Sequence, residues 1–366
     1  MKNDPLFHLA LTKVPGIGNV QAKLLLAHFE GDAEAIFKAK KKTIATVEGI
    51  GDVKAKAIKA FEDFKSCEEE IVFCNKHHIQ ILYTNHSNYP QRLLHCYDAP
   101  TVLFYRGNAG LNTSKVVSII GTRTNSDYGK QVTEQLIAHF KEQNITVISG
   151  LAFGIDAIAH KAALKNSLPT LAVLAHGMHT IYPVQHKLLA KDILLCGGLL
   201  TEFCNGVKAS RHNFPKRNRI VAGLSDATIV IETAIKGGSM ITAELAYHYN
   251  RDVFAVPGKL TDYKSSGCLA LIRQNKAVLY TSPDDFMREM GWIDAPKLRK
   301  AQKELFIEIS EEEQRIVELL QKKDSLHIDE IYLQSGLSSS IVASCILNLE
   351  LNNIIATLPG KLYKLV

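Results

Sequence analysis

The chain has 366 residues, more than one ordinary domain needs, and 46% of them are apolar, so two or three domains with full hydrophobic cores are expected. The net charge of +6 is mild for this length, and neither end is basic enough to act as a nonspecific nucleic-acid arm. Seven scattered cysteines without a CxxC pair, and the lack of a signal-peptide or membrane-spanning apolar run, argue against a secreted or membrane protein and predict a soluble cytoplasmic one.

The first 66 residues contain an internal repeat. Val14–Lys23 reads VPGIGNVQAK and Val47–Lys56 reads VEGIGDVKAK, so each copy places a Gly-Ile-Gly turn before a helix with small residues on one face. Such turns are typical of helix-hairpin-helix units, whose glycines can bring backbone N–H groups close to a nucleic-acid phosphate. The pattern fits a helical packing module without a ligand equally well. We expect a helical domain over residues 1–66.

Strands and helices alternate in a second domain, over residues 67–295. A helix and short strands are expected up to Asn108, and the alternation is regular from Lys115. Strands are predicted at Val116–Ile120, Thr146–Ser149, Thr170–Leu174, Leu194–Leu195 with Leu199–Leu200, Ala227–Ile231, Val253–Val256 and Val278–Tyr280. Helices are predicted near 129–143, 155–165, 184–191, 217–224, 240–250 and 267–275. This spacing predicts an α/β fold with a doubly wound, mostly parallel sheet.

The stretch 211–244 carries a cluster of cations that is predicted to precede a short helix. Four of them fall close together before the first carboxylate, Asp226: Arg211, Lys216, Arg217 and Arg219. Arg217 and Arg219 could instead lie on a solvated face or pair with structural carboxylates. Because no acid lies nearby in the sequence and a glycine turn follows, binding of an anionic partner is the favoured interpretation.

Three turns at predicted strand ends lack large side chains or carry polar ones: Gly121-Thr122-Arg123, Ser149-Gly150 and Gly237-Gly238-Ser239. The carboxyl ends of parallel strands meet at one edge of a sheet, where helix N-termini present unpaired N–H groups to ligands. Arg123 stands where a dinucleotide pyrophosphate would need bare backbone, and the chain has neither a Walker A loop nor a GxSxG elbow. We therefore expect an anion-binding edge without a dinucleotide cofactor.

Two histidine patterns have simple structural explanations. Asp156 and His160 would share one face of a helix, but no activated nucleophile lies nearby in the sequence, so we expect Asp156 to pair locally and His160 to pack. His176, His179 and His186 lie in a strand-to-loop stretch without a carboxylate or cysteine at ligand spacing. A metal site is not expected there.

A polar linker, Pro296–Lys303, leads to a third domain over residues 305–366. The elements predicted in it are helices at Glu311–Lys322, Ile328–Ser335 and Ser339–Leu351, followed by a two-stranded wing at Ile354–Thr357 and Lys361–Val366 that is separated by Pro359-Gly360. This order is typical of a winged helix, which commonly reads DNA. However, the chain has no lysine or arginine between Lys323 and Lys361, so the domain could not neutralise phosphates. We expect a protein-contact or regulatory module.

Taken together, the motifs resemble those of the DNA-processing protein A (DprA, also called Smf) family of natural transformation in bacteria. The resemblance covers nearly the whole chain. The motifs that carry it are Tyr89-Pro90, Ala99-Pro100, Leu103–Gly107, Ile120–Arg123, Ser149–His160, Ile181–Pro183, Asn213–Ser225, Gly238-Ser239 with Thr242-Ala243, and Val253–Gly258. The chain departs from the family pattern at Thr201–Gly206, which lacks a proline, and at Cys268–Ile272.

The resemblance implies an extended Rossmann domain between a helical N-terminal domain and a winged-helix tail. Family members bind and protect single-stranded DNA and help load the RecA recombinase onto it, usually as dimers formed through the Rossmann domain. By resemblance, the implied DNA-binding residues here are Gly121, Thr122, Arg123, Ser149, Gly150, Phe214, Lys216, Arg217, Asn218, Arg219, Gly238 and Ser239. Arginines and N–H groups would hold consecutive phosphates, and Phe214 would stack on a base. No catalytic residue, cofactor or metal is implied.

One alternative is an enzyme. Gly237, Gly238, Ser239, Thr242 and Glu244 loosely match the phosphate-binding loop of nucleotide phosphoribohydrolases, which have a related Rossmann-like fold. In that case the loop would bind one nucleotide phosphate, and the glutamate would assist cleavage of the glycosidic bond. The chain lacks the proline and the later glycine of that motif.

Overall fold

The computed structural model describes residues 5–293, 309–358 and 360–366. The chain divides into two compact units, 1–293 and 294–366. The predicted linker Pro296–Lys303, residues 305–308 of the predicted third domain, and Pro359 lie outside the described residues. In the part of the chain that is described, no helix combines the length and the apolar character that crossing a membrane requires.

The first unit begins with helices that carry the two repeated turns. In residues 5–76 these are α1 (Pro5–Lys13), α2 (Asn19–His28), α3 (Ala33–Lys38), α4 (Lys41–Ala45), α5 (Gly51–Lys59) and α6 (Phe64–Lys76). Gly16 and Gly49, at equivalent positions of the repeat, both have positive φ, 79° and 77°, which glycine adopts without a steric cost. Lys23, in the first repeat, donates from Nζ to the carbonyl oxygens of Leu94 and Cys96, at 2.9 and 2.8 Å. The first repeat therefore packs on the sheet region that follows.

A nine-stranded sheet forms the centre of residues 77–293. Its strands are β1 (Gln80–Tyr83), β2 (Val102–Gly107), β3 (Val116–Ile120), β4 (Thr146–Ser149), β5 (Thr170–Val173), β6 (Gly198–Thr201), β7 (Ala227–Val230), β8 (Asp252–Ala255) and β9 (Val278–Leu279). Their spatial order is β1-β2-β6-β5-β4-β3-β7-β8-β9. The seven strands from β6 to β9 in this order are parallel, whereas β1 and β2 add an antiparallel edge.

Helices cover both faces of the sheet. In residues 77–293 they are α7 (Gln91–Leu94), α8 (Asp127–Phe140), α9 (Ile155–Lys165), α10 (Lys187–Cys196), α11 (Asn213–Gly223), α12 (Gly238–His248), α13 (Ser266–Arg273) and α14 (Pro283–Glu289). Successive side chains of a β-strand point to opposite faces of the sheet. Accordingly, Val116 packs with α11 and α12 on one face, and Val117 packs with α8 and α9 on the other. The predicted fold class, an α/β doubly wound sheet, is confirmed.

Two local predictions are wrong. Leu194 and Leu195 belong to α10 rather than to a strand, because the helix buries Leu189, Ala190 and Ile193 at helical spacing. The position predicted for the cations is also wrong for three of the four: Lys216, Arg217 and Arg219 lie within a helix, and Arg211 precedes it. The helix α11 begins at Asn213, since a proline such as Pro215 is tolerated in the first turn, where its missing N–H would have no partner.

The second unit has the predicted winged-helix arrangement. Its described elements are α15 (Glu311–Leu320), β10 (Leu326–His327), α16 (Ile328–Ser335), α17 (Ser339–Leu351), β11 (Ile355–Leu358) and β12 (Leu362–Leu365). The strands form a sheet in the order β10-β12-β11. Ile316, Val342 and Leu349 lie in its buried core.

Candidate nucleic-acid interface

A cavity of about 800 Å³ opens at the carboxyl edge of the parallel strands. The segments that follow β3, β4 and β7 contribute to its lining through Gly121, Gly150 and Thr233. After β3 the chain builds β4, β5 and β6 on one side and then returns to add β7 on the other. Open α/β sheets bind ligands outside the strand ends at such a switch point.

One wall of the cavity is the start of α12. Gly238 and Ser239 line the cavity, and no side chain of the described residues caps this helix. By contrast, Ser126 caps the neighbouring α8, its Oγ accepting from Gly129 N at 3.0 Å, and Ser126 N donates to the buried carboxylate of Glu232 at 2.9 Å. Unpaired N–H groups and the positive end of the helix dipole therefore favour an anion at α12.

Two exposed arginines, Arg123 and Arg211, line the cavity. Arg123 follows β3, and its Cζ lies 5.3 Å from the centroid of the Phe214 ring. Arg211 comes just before α11 and belongs to the predicted cation cluster, although it is not among the residues that the resemblance implied. These are the cations of the lining that can reach a ligand in solution.

Arg217 lies beneath the cavity and is buried. Its guanidinium donates to the carbonyl oxygens of Gly150 and Val173, the latter at 2.6 Å, and its Nε donates to Asn218 Oδ1 at 3.1 Å. The guanidinium fills the space beside Gly150, so a side chain at that position would collide with it. Arg217 therefore shapes the floor of the cavity.

A carboxylate accompanies Arg217 on this floor. Asp156 lines the cavity and accepts from the N–H groups of Gly150 and Ala152 at 3.1 and 3.3 Å. Burial raises the pKa of Asp156, and the positive charge of Arg217 opposes that rise. His160 packs behind it with Nδ1 2.7 Å from Thr170 Oγ1. The prediction of local pairing for Asp156 and packing for His160 is confirmed.

Arg219 lies outside the cavity lining. Its guanidinium is paired with the buried carboxylate of Glu202 and also donates to the carbonyl oxygen of Asp98. The alternative interpretation, that an arginine of this cluster pairs with a structural carboxylate, is therefore confirmed for Arg219, because the fold brings Glu202 to it.

Most of the implied residues meet at the cavity. Those that line it are Gly121, Thr122, Arg123, Gly150, Phe214, Arg217, Asn218, Gly238 and Ser239. Three others lie outside the lining. Ser149 is buried in β4 and donates to Ile119 O at 2.7 Å, Lys216 is exposed on α11, and Arg219 is paired as described above. Sequence reasoning missed Tyr182 as part of the lining, although the Ile181–Pro183 motif contained it.

Glu244, which would assist glycosidic cleavage in the alternative enzyme hypothesis, lies on α12 outside the cavity lining. Its carboxylate pairs with Lys276 Nζ at 3.1 Å and is about half exposed. Among the described residues no group of three or more His, Cys, Asp or Glu side chains could hold a metal ion. His176 accepts from Tyr182 N at 3.2 Å, and His186 Nδ1 lies 2.8 Å from Leu151 O, so both take part in local backbone contacts.

Comparison with known proteins identifies relatives of each part of the chain. The family model of DNA recombination-mediator protein A matches residues 80–291, that of the DprA winged helix domain matches 299–361, and that of the SAM-like helix-hairpin-helix tandem matches 9–61. Protein Smf of Synechocystis sp. is 36% identical over 298 residues, which is 80% of this chain and 74% of that protein.

Two solved structures are similar to the chain. DNA processing protein A from Streptococcus pneumoniae aligns with a TM-score of 0.69 and 33% identity over 79% of this chain and 99% of its own. DNA processing protein A from Helicobacter pylori, whose structure concerns its single-stranded DNA binding mode, aligns with a TM-score of 0.53 and 29% identity over 58% of this chain and 95% of its own.

Proposed function

The chain belongs to the DNA recombination-mediator protein A family, and from this membership we propose that it binds single-stranded DNA at the cavity on the carboxyl edge of its sheet. The observation that carries the proposal is the convergence of three anion-binding features at one cavity. They are the uncapped start of α12 and the exposed guanidinium groups of Arg123 and Arg211. Phosphates of a DNA strand need such N–H groups and cations within reach.

Binding through phosphates should be nearly independent of base sequence and strongly dependent on salt, because each contact releases counterions. The test is fluorescence anisotropy with labelled oligothymidylate over a range of salt concentrations. Arg123→Gln and Arg211→Gln should each weaken binding and lower the slope of log affinity against log salt by roughly 0.7.

Arg106→Gln provides the matched control. Arg106 is exposed on β2, and its backbone lies opposite Leu199 near the start of β6. The cavity lies where the parallel strands end, so Arg106 is at the opposite edge of the sheet. Its replacement removes the same charge and should leave affinity and slope close to those of the wild type. Equal losses for all three variants would mean that the cavity is not the binding site.

The further steps of the proposal concern what binding achieves. We propose that the protein protects incoming single-stranded DNA during natural transformation and loads RecA onto that DNA. Because RecA acts in the cytoplasm, we also propose that this protein is cytoplasmic. Protection predicts slower digestion of the strand by an exonuclease. Loading predicts earlier ATP hydrolysis by RecA on a strand precovered by a single-strand-binding protein. Arg123→Gln should lose both effects along with affinity.

We also propose a homodimer formed through the sheet domain. The edge strand β9 supports this, since Val278 and Leu279 are each 46% exposed there and an edge strand presents backbone groups that can pair with another chain. Light scattering of the full chain should report twice the monomer mass. Leu279→Lys should shift the protein toward the monomer if this edge forms the interface.

The proposed activity makes and breaks no covalent bond. Incubation with nucleoside monophosphates should release no free base, and oligomers should bind more tightly than a mononucleotide. Release of base that disappears in Asp156→Asn or Glu244→Gln would instead support the phosphoribohydrolase alternative.

A further inference from the structure

Phe214, which the resemblance suggested as a base-stacking surface, already has cations over its ring. The Cζ atoms of Arg123 and Arg217 lie 5.3 and 6.0 Å from the ring centroid. At about 6 Å a guanidinium is attracted to the face of an aromatic ring. Because two backbone carbonyls hold the buried Arg217, that residue cannot move aside for a base. The ring of Phe214 is thus already in contact with Arg123 and with an Arg217 that is fixed in place.

Tyr182 is an aromatic residue of the same cavity with a different environment. It is 48% exposed, and its ring centroid lies 5.9 Å from that of Phe214 at an interplanar angle of 52°. Among the described residues, no cation lies over its ring. The ring is therefore open to solvent on the side of the cavity and adjoins the surface on which the arginines sit.

The backbone of Tyr182 is held in place from below. Its N–H donates to Nε2 of the buried His176 at 3.2 Å, and His176 Nδ1 lies 2.9 Å from Gly177 O. Since Nε2 accepts, Nδ1 carries the proton and donates to that carbonyl. A fixed backbone reduces the conformational entropy that the ring would lose when a base stacks on it.

We propose that Tyr182, rather than Phe214, supplies the surface on which a base of the bound strand stacks. The inference rests on the proposed binding of single-stranded DNA at this cavity and adds a contact to the base. Every DNA base has a flat face that can stack on an aromatic ring. Such a contact is therefore compatible with binding that depends little on the base sequence.

The test compares two strands of equal length, oligothymidylate and a fully abasic oligonucleotide, by fluorescence anisotropy. Tyr182→Leu removes the ring, and Tyr182→Phe keeps it. Tyr182→Leu should bind oligothymidylate about tenfold more weakly than wild type, in line with the usual contribution of one stacked base. Tyr182→Phe should bind like the wild type, and all three proteins should bind the abasic strand alike.

The abasic strand separates stacking from a structural role. If Tyr182→Leu lost the same factor on both strands, the residue would only support the cavity, and the inference would be wrong. Unchanged binding of oligothymidylate by Tyr182→Leu would also overturn it. Phe214→Leu should weaken the binding of both strands, because it removes the ring that the guanidinium of Arg123 contacts.

Arg123→Gln, measured in parallel, distinguishes this inference from the proposed function. If Arg123→Gln weakens binding and Tyr182→Leu does not, the strand lies in the cavity without stacking on Tyr182. If neither variant changes binding, the strand lies elsewhere and the proposed function itself fails. Thermal unfolding of each variant checks that the half-exposed Tyr182 has been replaced without loss of the fold.

Discussion

Arg219 and Glu202 form a buried ion pair, with side chains only 10% and 11% exposed. The same guanidinium donates to Asp98 O, and Asn19 Nδ2 donates to Glu202 Oε2 at 3.4 Å. Burial raises the pKa of Glu202, and the charge of Arg219 opposes that rise. The pair thus connects α11 with the loop after β6 and with the first N-terminal repeat, so we assign Arg219 a structural role.

Replacing Arg219 with Met should destabilise the protein while leaving its DNA affinity nearly unchanged. The variant would bury the carboxylate of Glu202 without a cation, which typically costs about 3–5 kcal/mol. Urea unfolding measures the stability, and anisotropy with oligothymidylate under native conditions measures the affinity.

The double variant Arg219→Met, Glu202→Leu is the control for this prediction. It removes both charges, so much of the lost stability should return. A single variant that unfolds like the wild type but binds oligothymidylate weakly would show that Arg219 contacts the strand.

The sequence pattern located the cation cluster but could not assign roles within it. Because α11 begins at Asn213, Arg217 shares a buried helical face with Ile220 and Val221, whereas Lys216 points to solvent. The predicted helix began four residues later, near residue 217. With that start, the sequence did not show which face of the helix each cation occupies. The acidic partners are long-range contacts, and no local pattern contains them.

Elements with strong local signals were predicted well. The strands Val116–Ile120 and Thr146–Ser149 and the helix Ile155–Lys165 have the predicted bounds. Their apolar runs are bounded by glycine or polar residues, and burial on both sheet faces reinforces the pattern. Tyr182 was missed because its place in the cavity lining depends on tertiary packing. The sequence does not show that the fold brings it next to Phe214.

Gly238→Asp should abolish most DNA binding without destabilising the fold. A Cβ at Gly238 would meet open space, and an acidic residue in the first turn of α12 interacts favourably with the helix dipole. The same charge would repel a phosphate at this wall of the cavity. Anisotropy should therefore show a loss of more than about tenfold, with the thermal unfolding midpoint unchanged or raised.

Gly238→Asn is the matched control, since it has nearly the same shape without the charge. It should retain most of the affinity. If the two variants bound oligothymidylate equally well, the start of α12 would not hold a phosphate.

Deleting residues 300–366 should leave the affinity for oligothymidylate nearly unchanged. The helix α17 has no lysine or arginine, and the exposed residues of α16 and α17 include Leu333, Leu347 and Leu351, so this unit offers phosphates little attraction. Anisotropy of the truncated and full chains at the same salt concentration measures the difference. A large loss would mean that the winged helix contributes to the DNA interface despite its lack of cations.

His160 should make the stability of the protein depend on pH in the acidic range. Thr170 Oγ1 donates to Val147 O at 3.0 Å, so His160 Nδ1 donates to Thr170, and Nε2 is left without a partner among the described residues. Burial, together with the charges of His186 and Arg217, lowers the pKa of His160 to about 3. In the unfolded chain this imidazole has its ordinary pKa near 6.5. Between pH 6.5 and about pH 3 the unfolded chain therefore binds more protons at His160 than the folded protein does. The stability that His160 contributes above pH 6.5 is consequently lost as the pH falls through this range.

His160→Asn tests this directly, because the asparagine side chain keeps an N–H donor but does not titrate. The variant should be less stable than wild type at about pH 7.5, since it leaves a small cavity. At about pH 5 the difference in free energy of unfolding should shrink by about 2 kcal/mol, because only the wild type must keep the imidazole neutral. Urea unfolding of both proteins at the two pH values measures this change. A difference that stays constant with pH would mean that His160 is protonated as readily in the folded protein as in the unfolded chain.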